Sequence, residues 1–401
     1  MHRIVFAWEL GENYGHIARG LPIAQRLRAR GHDVVFAVRD VEVANSLLAP
    51  KGVPFVAAPR PLQTAQLRHT PSNYGQILAE CGYAHRSSLR ATLRAWINLW
   101  QLLKPAAIVI DHSPTALLAA RTLNIPVMLL GTGFTIPPDA DPLPPINPWE
   151  KVPLDELRRS DNLVLGNIND ALSCVGQAPL GRIADLFVGL PSLIATFHEL
   201  DHYGSRTMGS FIGPFASASD HPKVTWTQAE RTHVFAYLRM SVAGLELILN
   251  ALRQIDAEVI CAIPDVPDAL RKRLTTADFR VYPHAIDLPS VLNGSDVAVS
   301  YGGAGMTSEA LTAGVPLLLV PQFIEQYLGA KCVQGLGAGI MIDRQRPGMD
   351  LSTALRMLIT EPRYKEAAAA LARKFSAFDS SAACEAATDA IISLAGGGSS
   401  D

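Results

Sequence analysis

The amino-acid sequence predicts an α/β protein built from two doubly wound domains. Short apolar runs rich in β-branched residues alternate with segments of helical periodicity along both halves of the chain, as in parallel sheets covered by helices. Glycine-rich turns join several of these runs to the helix that follows. With 401 residues, of which 48% are hydrophobic and 18% charged, the chain is long enough for two well-cored domains.

The N-terminal half opens with the pattern strand, loop, helix, strand. Arg3 to Trp8 is predicted as a buried strand, and Glu9 to Gly15 as a glycine-bounded loop. A helix is predicted over Ile17 to Ala29, because apolar side chains recur there every three or four positions, and Val34 to Val38 is predicted as the next strand. His16 therefore stands at the end of the loop that follows the first strand.

Asp111 ends a later apolar run, Ala106 to Ile110. Parallel sheets collect their ligands at the C-terminal ends of strands, so a carboxylate at this place is a candidate functional group. Asp111 could instead cap the helix predicted over Pro114 to Leu123. The sequence leaves both interpretations open.

A glycine-rich turn in the C-terminal half follows the strand predicted at Val297 to Val299. After this turn, at 302–305, a helix is predicted from about Met306 to Ala313, and Leu317 to Val320 is predicted as the next strand. The unpaired N–H groups of a helix's first turn and the positive end of its dipole suit such a turn to phosphate.

Two acidic positions indicate what else is bound near this turn. Glu309 lies about one helical turn beyond the glycines, and Glu325 with Gln326 begins a segment after the second strand. Carboxylate and amide side chains bind the hydroxyls of ribose and sugar rings. The alternative is an ordinary βαβ unit whose acids are solvated.

A longer pattern surrounds the turn and connects it to a known family. It consists of Tyr301-Gly302-Gly303-Ala304-Gly305-Met306-Thr307-Ser308-Glu309, Gly314-Val315-Pro316, Val320-Pro321-Gln322 and Glu325-Gln326. The stretch from Val281 to Gly339 thereby resembles the donor-binding box of nucleotide-sugar glycosyltransferases of the macrolide and UDP-glycosyltransferase type. The resemblance implies the GT-B fold, in which two Rossmann-like domains face each other across a cleft.

The resemblance implies a role for each part of the box. Glu309 would bind the ribose hydroxyls, and Glu325 with Gln326 the transferred sugar. The loop residues implied to contact the donor are Gly303, Ala304, Gly305, Met306 and Thr307. The family's box opens with a His that touches the diphosphate, but this chain has Tyr301, whose phenol donates a hydrogen bond without carrying positive charge.

Two further stretches complete the donor site that the resemblance implies. Arg239 follows the apolar run His233 to Leu238, where the family has a turn facing the diphosphate, and is the candidate for the missing cation; a surface arginine is the alternative. Val281-Tyr282-Pro283-His284 matches the family's Trp-x-Pro-Gln, whose Trp stacks on the nucleobase and whose Gln reaches the ribose. Because Val281 replaces that Trp, Tyr282 or backbone groups would compensate. A core valine and a loop histidine are the alternative.

The N-terminal pattern Gly15-His16, Pro22 and Arg30-Gly31-His32-x-Val34 resembles the opening of the same family. There the His of the first loop is the general base, so the resemblance implies that His16 takes the proton of an acceptor hydroxyl. It also implies that Asp111 pairs with this imidazole and fixes its tautomer. The alternative is a loop histidine that caps the helix.

The domain break is expected near Phe211-Ile212-Gly213-Pro214-Phe215, where a short apolar run meets Gly-Pro. The expected parts are an acceptor-side domain over 1–213, a donor domain over 214–378, a helix over 379–395 that crosses back to the first domain, and a disordered tail over 396–401.

Composition narrows the class of protein. A formal net charge of −2 and a pI near 6.6 argue against nucleic acid as a partner. No run approaches the roughly twenty apolar residues of a membrane helix, and no signal peptide is expected because the first strand begins at once. Five isolated cysteines favour reduced core thiols and a cytoplasmic location. The oligomeric state is not predicted.

Two short motifs imitate metal sites. His198-Glu199-Leu200-Asp201-His202 is a literal His-Glu-x-x-His, so a zinc metalloprotease is a remote alternative that requires both histidines on one helix face. Asp139-Ala140-Asp141 imitates the metal-binding Asp-x-Asp of the other glycosyltransferase fold, but it lies among prolines with no strand directly before it.

The leading prediction is an inverting, metal-independent glycosyltransferase, specifically a hexosyltransferase. It would move a sugar from a nucleoside diphosphate, with UDP or TDP expected, to a hydroxyl of a small molecule or glycan, with no other cofactor. A GT-B nucleotide-sugar epimerase is the alternative, and it would not need the pair of His16 and Asp111. The sequence does not specify the sugar, the base or the acceptor.

Overall fold

The computed structural model describes residues 1–12, 14–61, 70–204, 206–215, 221–343 and 348–397. The chain divides into two compact units: unit 1 comprises Met1–Ser217 and Ser380–Asp401, and unit 2 comprises Ala218–Asp379. Each unit is built on one parallel sheet, which confirms the predicted fold class. In the described part of the chain no helix is both long enough and apolar enough to cross a lipid bilayer.

Unit 1 alternates strands and helices along the chain. Its described strands are β1 (Arg3–Trp8), β2 (Asp33–Val38), β3 (Phe55–Ala57), β4 (Ala107–Ile110), β5 (Val127–Gly131), β6 (Ser192–Ile194) and β7 (Ser210–Phe211). Its described α-helices before residue 200 are α1 (Gly15–Ala29), α2 (Val41–Leu47), α3 (Tyr74–Leu78), α4 (Arg86–Leu103), α5 (Pro114–Thr122) and α6 (Leu154–Ser173).

The strands of unit 1 pair in the order β3-β2-β1-β4-β5-β6-β7, all in parallel. Phe6 of β1 lies opposite Phe36 of β2 and Val109 of β4. The chain winds outward from β1 to β3 and then restarts on the other side with β4, so the winding direction reverses between β1 and β4. Open α/β sheets bind ligands just beyond the C-terminal ends of the strands at such a switch point.

The core of unit 1 explains why these runs form strands. Ile4 to Trp8 is buried along its whole length, as expected for a parallel strand covered on both faces. The rings of Phe6 and Phe36 stack at 4.7 Å between centroids. From α1, Ile17, Ile23 and Leu27 enter the same buried cluster.

Unit 2 repeats this plan. Its described strands are β8 (Thr232–Tyr237), β9 (Ala257–Ala262), β10 (Phe279–Tyr282), β11 (Val297–Ser300), β12 (Leu317–Leu319) and β13 (Gly339–Met341). Its described helices are α7 (Leu245–Arg253), α8 (Asp268–Leu274), α9 (Leu288–Leu292), α10 (Ala304–Thr312), α11 (Ile324–Gly335), α12 (Leu351–Thr360) and α13 (Pro362–Phe375). The strand order is β10-β9-β8-β11-β12-β13, so the switch point lies between β8 and β11.

The last helix, α14 (Ser380–Gly397), packs within unit 1 against α1, β4 and β5. Ile391 is buried in the core of unit 1, and Glu385 pairs with Arg26 of α1 at 3.2 Å. The sequence places residues 396 and 397 in a disordered tail, but they form the last turn of α14. The rest of that predicted tail, 398–401, lies outside the described residues.

All five cysteines are thiols. Cys261, Cys332 and Cys384 are buried, as expected of core thiols. Cys174 is exposed just beyond the last turn of α6, and Cys81 is partly exposed, so the prediction of core positions is wrong for these two residues.

Candidate active site

The switch point of unit 1 brings together the two residues predicted to act in catalysis. Asp111 follows β4 directly, and α1 begins soon after β1. His16 is the second residue of α1 and not a loop residue, because the helix starts at Gly15, two positions before the predicted start. The amide of Ala18 already donates to the carbonyl of Tyr14 at 2.9 Å.

His16 and Asp111 form a buried hydrogen-bonded pair. The distance from His16 Nδ1 to Asp111 Oδ1 is 2.9 Å, and each residue is 6% exposed. Because a carboxylate only accepts, Nδ1 donates in this pair, and the neutral form of the ring then presents the lone pair of Nε2. An imidazole held in this way can accept a proton at Nε2.

Arg19 is the third member of this group, and sequence reasoning missed it. Its Nη1 donates to Asp111 Oδ2 at 2.5 Å, on the oxygen that His16 leaves unused. Arg19 stands three residues after His16, so both side chains leave the same face of α1. In the sequence, this three-residue spacing is the only indication that Arg19 lies near His16, and it does not distinguish a buried arginine from a solvated one.

The charges around Asp111 decide its ionisation. Burial alone would raise the pKa of the Asp111 carboxyl, but the nearby Arg19 guanidinium and His16 together hold that pKa below its ordinary value. Asp111 is therefore a carboxylate at neutral pH. The alternative that it caps α5 is wrong, because the capping residue is Ser113 and the first amides of α5 are bound by Glu9.

Glu9 is a second residue that sequence reasoning left without a role. It is fully buried, and its carboxyl group accepts hydrogen bonds from the amides of Thr115 at 2.8 Å and Ala116 at 3.3 Å. Ser113 Oγ also donates to it, at 3.3 Å. Burial raises the pKa of Glu9 to about 7, against the opposing effect of these hydrogen bonds. Glu9 thus ties the loop after β1 to the start of α5.

Aromatic rings enclose the His16 imidazole. Trp8 stacks on it with centroids 5.1 Å apart, and His112 lies on it at 6.1 Å. Gly11 adopts a positive φ of 80°, and a Cβ atom there would come within 2.7 Å of His16 Nε2. Only glycine leaves room for the imidazole at this position.

The switch point of unit 2 carries the predicted phosphate turn. Gly302 has φ of 84°, and a side chain there would press on the backbone of Gln326. Helix α10 begins at Ala304, two residues earlier than predicted, so Ala304 and Gly305 lie in its first turn and are exposed. A Cβ atom at Gly305 would meet nothing within 4 Å. The outer side of this turn therefore borders open space.

Met306 and Thr307 follow in the same turn but turn their side chains inward. Both are buried, and among the described residues Thr307 Oγ1 has no hydrogen-bond partner. Their contribution to a donor site is therefore restricted to the backbone and, for Thr307, to one buried hydroxyl.

Tyr301 and Arg239 lie next to each other, as a shared phosphate site requires. The Arg239 guanidinium carbon lies 5.7 Å from the centroid of the Tyr301 ring, within the range of a cation–π contact. Tyr301 is 8% exposed and its ring runs along Gly303. The arginine follows β8 and the tyrosine follows β11, so the switch point itself joins them.

Glu309 lies on α10, half-buried. In the described chain its carboxylate makes no hydrogen bond and no ion pair. Burial and the negative charge of Asp287 raise its pKa. An acid in this setting gains when a ligand donates hydroxyl hydrogen bonds to it.

Gln326 is buried. Its Oε1 accepts from the amide of Gln322 at 2.8 Å, so this oxygen also holds the protein's own loop. Gln322, which the sequence did not single out as a ligand, accepts from the amide of Ala243 at 2.8 Å and so ties this loop to the one after Arg239. Glu325 stands beside it in the first turn of α11, partly exposed.

Val281 is a core residue, which is the alternative that the sequence left open for this position. It is buried in the hydrophobic core of unit 2, as the alternation of β10 requires. Tyr282 points to the opposite face of that strand and is partly exposed. Its ring lies 6.2 Å from that of the exposed His284. Tyr282 and His284 are therefore the two side chains at the end of β10 that are accessible to a nucleobase.

Neither of the two motifs that resemble metal sites forms a metal site among the described residues. The three residues His198–Leu200 make a single 3₁₀ turn, after which Asp201 is extended, so His198 and His202 do not share an α-helical face. His198 packs against Phe211, and Asp139 forms an ion pair with Arg182 at 2.6 Å. Within the described ranges no three His, Cys, Asp or Glu side chains converge as metal ligands would.

Comparisons with known proteins find similarity to glycosyltransferases. The family described as Erythromycin biosynthesis protein CIII-like, C-terminal domain, matches residues 246–387. NDP-glycosyltransferase YjiC of Bacillus subtilis (strain 168) is 32% identical over 361 residues, which cover 83% of this chain and 83% of that protein.

Solved structures share the fold over nearly the whole chain. The glycotransferase of kitacinnamycin superposes with a TM-score of 0.70 at 21% identity, covering 98% of this chain and 99% of its own. Glycosyltransferase VinC in complex with dTDP superposes with a TM-score of 0.66 at 17% identity, again over 98% and 99%. The chain is therefore a glycosyltransferase with the GT-B fold, and it belongs to the family of nucleotide-sugar glycosyltransferases of the macrolide and UDP-glycosyltransferase type.

Proposed function

We propose that this enzyme transfers a sugar from a nucleoside diphosphate sugar to a hydroxyl group of a small-molecule acceptor, with inversion at the anomeric carbon and without a metal ion. The observation that carries the proposal is the buried pair of His16 and Asp111, 2.9 Å apart at the switch point of unit 1. Arg19 keeps its carboxylate ionised.

His16 acts as the general base. Its Nε2 takes the proton of the acceptor hydroxyl while the acceptor oxygen attacks the anomeric carbon from the face opposite the diphosphate. The bond from that carbon to the diphosphate oxygen breaks, and the nucleoside diphosphate leaves with the electron pair. Asp111 stabilises the imidazolium that results and holds its Nδ1 proton. One displacement of this kind inverts the configuration.

Unit 2 binds the donor. The first-turn amides of α10 and the Arg239 guanidinium hold the diphosphate, and Tyr301 adds a hydroxyl donor. Glu309 binds the ribose, Glu325 the sugar, and Tyr282 the nucleobase. The half-buried carboxylate of Glu309, which has no partner in the described part of the chain, supports the ribose assignment.

The nucleotide is a UDP or TDP sugar. VinC was crystallised with dTDP, which supports a pyrimidine nucleotide. The kitacinnamycin relative supports a small-molecule acceptor. Five unbridged cysteines fit a reducing compartment, so a cytoplasmic location is part of the proposal.

Metal independence is proposed because protein groups can stabilise the negative charge of the leaving diphosphate. Helix-terminal amides and one guanidinium supply positive potential at the diphosphate without a divalent cation.

A nucleotide-sugar epimerase is the second candidate. Such an enzyme has no acceptor hydroxyl to deprotonate, so the His16 and Asp111 geometry favours the transferase.

The proposal is tested by donor screening and product stereochemistry. A thermal-shift screen with UDP, TDP, GDP and ADP sugars identifies the donor, and we expect stabilisation by a UDP or TDP sugar. With that donor and a phenolic acceptor, the anomeric configuration of the product is read by proton NMR. We expect a β-linked product from an α-linked donor. Retention of configuration, or epimerisation of the donor without acceptor, would reject the proposal.

A further inference from the structure

Helix α5, which begins three residues after Asp111, does not use the cap that its own sequence offers. Serine is among the preferred capping residues and Ser113 stands at the capping position, but its side chain makes no capping hydrogen bond. The first-turn amides of Thr115 and Ala116 donate instead to the carboxyl group of Glu9, at 2.8 Å and 3.3 Å. Ser113 Oγ also donates to that group, at 3.3 Å. The cap of α5 therefore comes from the loop after β1.

Backbone hydrogen bonds join the same two parts of the chain. Strands β1 and β4 pair in parallel, and the amide of Asp111 donates to the carbonyl of Ala7 at 2.9 Å. Beyond the sheet, the amide of Leu10 donates to the carbonyl of His112 at 3.0 Å. The backbone before and after the Asp111 side chain is thus held by β1 and by the loop that follows it.

The turn between Asp111 and α5 depends on these bonds. His112 has a φ of 48°, a left-handed conformation that is unfavourable for a residue other than glycine. Such conformations persist where the surrounding structure determines them. The bond from Leu10 to the His112 carbonyl and the hydrogen bonds of Glu9 to the following residues supply that constraint.

The loop over residues 8–11 lies against the His16 imidazole. Trp8 stacks on this ring with centroids 5.1 Å apart, and Trp8 Nε1 donates to the carbonyl of Leu10 at 2.7 Å. A Cβ atom at Gly11 would come within 2.7 Å of His16 Nε2. The position of this loop therefore determines where the imidazole can lie.

Glu9 connects the loop to the start of α5 in either protonation state. Its side chain is fully buried. Burial raises the pKa of Glu9 to about 7, but a protonated carboxyl group keeps lone pairs that accept hydrogen bonds from amides. The connection is therefore present on both sides of neutral pH.

We propose that Glu9 is a positioning residue for the proposed base. Its carboxyl group joins the loop that packs against His16 to the segment that carries Asp111, and so maintains the 2.9 Å hydrogen bond between these two side chains. Glu9 does this without touching the substrate. A displacement of about 1 Å in a reacting group can lower the rate about a hundredfold, so the connection matters for turnover. This inference rests on the proposed function, because it takes His16 as the base.

A matched pair of substitutions tests the effect on turnover. Glu9→Leu has a similar volume but no acceptor, so the first amides of α5 lose their partner, whereas Glu9→Gln keeps one acceptor oxygen. We expect kcat to fall by about ten- to a hundredfold in Glu9→Leu and to stay near the wild-type value in Glu9→Gln. The affinity for UDP and TDP, measured by calorimetry, should be unchanged in both. A wild-type kcat in Glu9→Leu would overturn the proposal.

NMR measures the positioning directly. In enzyme with ¹⁵N-labelled histidine, the Nδ1 proton that His16 donates to Asp111 is assigned by its absence from His16→Ala. We expect this resonance to be lost or shifted in Glu9→Leu and kept in Glu9→Gln. An unchanged resonance in Glu9→Leu would reject the positioning role. Should Glu9→Leu not fold, Glu9→Asp takes its place, because the shorter acid keeps the charge but reaches α5 less well, and the same changes are expected.

Glu258→Leu is the control for general destabilisation. Glu258 is also fully buried, in unit 2, and accepts from the amides of Thr227 at 3.0 Å and Gln228 at 2.9 Å. Its substitution should lower the free energy of unfolding but leave the His16 resonance in place. Loss of the resonance in both leucine variants would indicate a general effect of destabilisation and reject the proposal.

His16→Ala separates this inference from the proposed function. If His16→Ala transfers the sugar at the wild-type rate, the assignment of the base fails, whatever the effect of Glu9→Leu. If His16→Ala is inactive while Glu9→Leu keeps both its turnover and the His16 resonance, the positioning role alone fails and the proposed function stands.

Discussion

Arg19 donates a 2.5 Å hydrogen bond to Asp111, on the carboxylate oxygen opposite the one that His16 occupies. Both oxygens of a buried carboxylate are thus held by residues of one helix face. Arg19 keeps Asp111 ionised, and Asp111 in turn orients the imidazole. The proposed base is therefore supported by a network of three residues, His16, Asp111 and Arg19.

Replacing Arg19 should expose this dependence. In Arg19→Met the Asp111 carboxylate loses its strongest opposite charge, so its pKa rises and the acid limb of the kcat/KM profile moves to higher pH. Because the variant leaves a buried charge with one partner fewer, the free energy of unfolding should fall by about 3 kcal/mol at neutral pH. Arg19→Lys restores the charge and should restore most of the profile. An acid limb that stays in place in Arg19→Met would contradict this role.

Glu9 should make stability depend on pH near neutrality. Its pKa in the folded protein is about 7, above the ordinary 4.5, so the folded state binds the proton more tightly than the unfolded state. The resulting stabilisation is complete below pH 4.5 and is lost as the pH rises through 7. The loss amounts to about 3 kcal/mol.

Glu9→Gln removes this titration while its amide oxygen can still accept from the start of α5. Urea unfolding at about pH 5 and about pH 8 measures the effect. Between these two pH values the free energy of unfolding of the wild type should fall by about 3 kcal/mol relative to that of Glu9→Gln. Glu156→Gln, at an exposed acid of α6, is the control and should follow the wild type. Parallel behaviour of wild type and Glu9→Gln would mean that Glu9 does not titrate in this range.

The strands and their order along the chain were predictable. Strands β1, β4 and β11 are continuous apolar runs, which can be recognised from the sequence without knowledge of the tertiary structure. The places of His16 and Asp111 followed from the family pattern and from the rule that ligands gather at strand ends. Arg19 and Glu9 were not predictable, because an arginine on a helix and an acid in a loop are usually solvated. Their burial is decided by the sheet that packs over them.

Val281 and Gln326 show what a family motif does not determine. Both match positions of the family's box, yet Val281 faces the core because strand alternation turns Tyr282 outward. Gln326 uses its carbonyl oxygen on its own loop. A motif specifies residue types and spacing, whereas the side-chain direction and the local hydrogen bonds are set by the three-dimensional packing.

Glu309→Ala should weaken donor binding without unfolding the protein. The carboxylate is half-buried and unpaired in the described chain, so removing it costs little stability. The loss of hydrogen bonds from ribose to a charged group should cost about 1.5 to 3 kcal/mol of binding free energy. Calorimetric titration with the UDP or TDP sugar measures this. Glu366→Ala, at an exposed acid of α13, is the control, and equal affinity in the two variants would refute the ribose assignment.

Chelation should leave activity intact. If amides of α10 and the Arg239 guanidinium meet the charge of the leaving diphosphate, as proposed, transfer in the presence of EDTA should proceed at the untreated rate. Arg239→Gln should instead lower turnover by about ten- to a thousandfold, as expected for removing one electrostatic contact to the leaving group. Elemental analysis that finds one zinc per chain, lost on changing His198 and His202 to Ala, would contradict the prediction.

The catalytic assignment rests most directly on His16. His16→Ala should lower turnover by about a hundred- to ten-thousandfold, the range for loss of general-base catalysis, while donor affinity stays nearly constant because the proposed donor site lies in unit 2. Asp111→Asn should lower turnover less, since the imidazole remains but its orientation and imidazolium form lose support. His198→Ala is the matched control, because His198 is an exposed histidine of the same unit. Initial rates and calorimetric donor titrations on the three variants separate the contributions. Full transferase activity in His16→Ala would reject the base and leave the donor site unaffected.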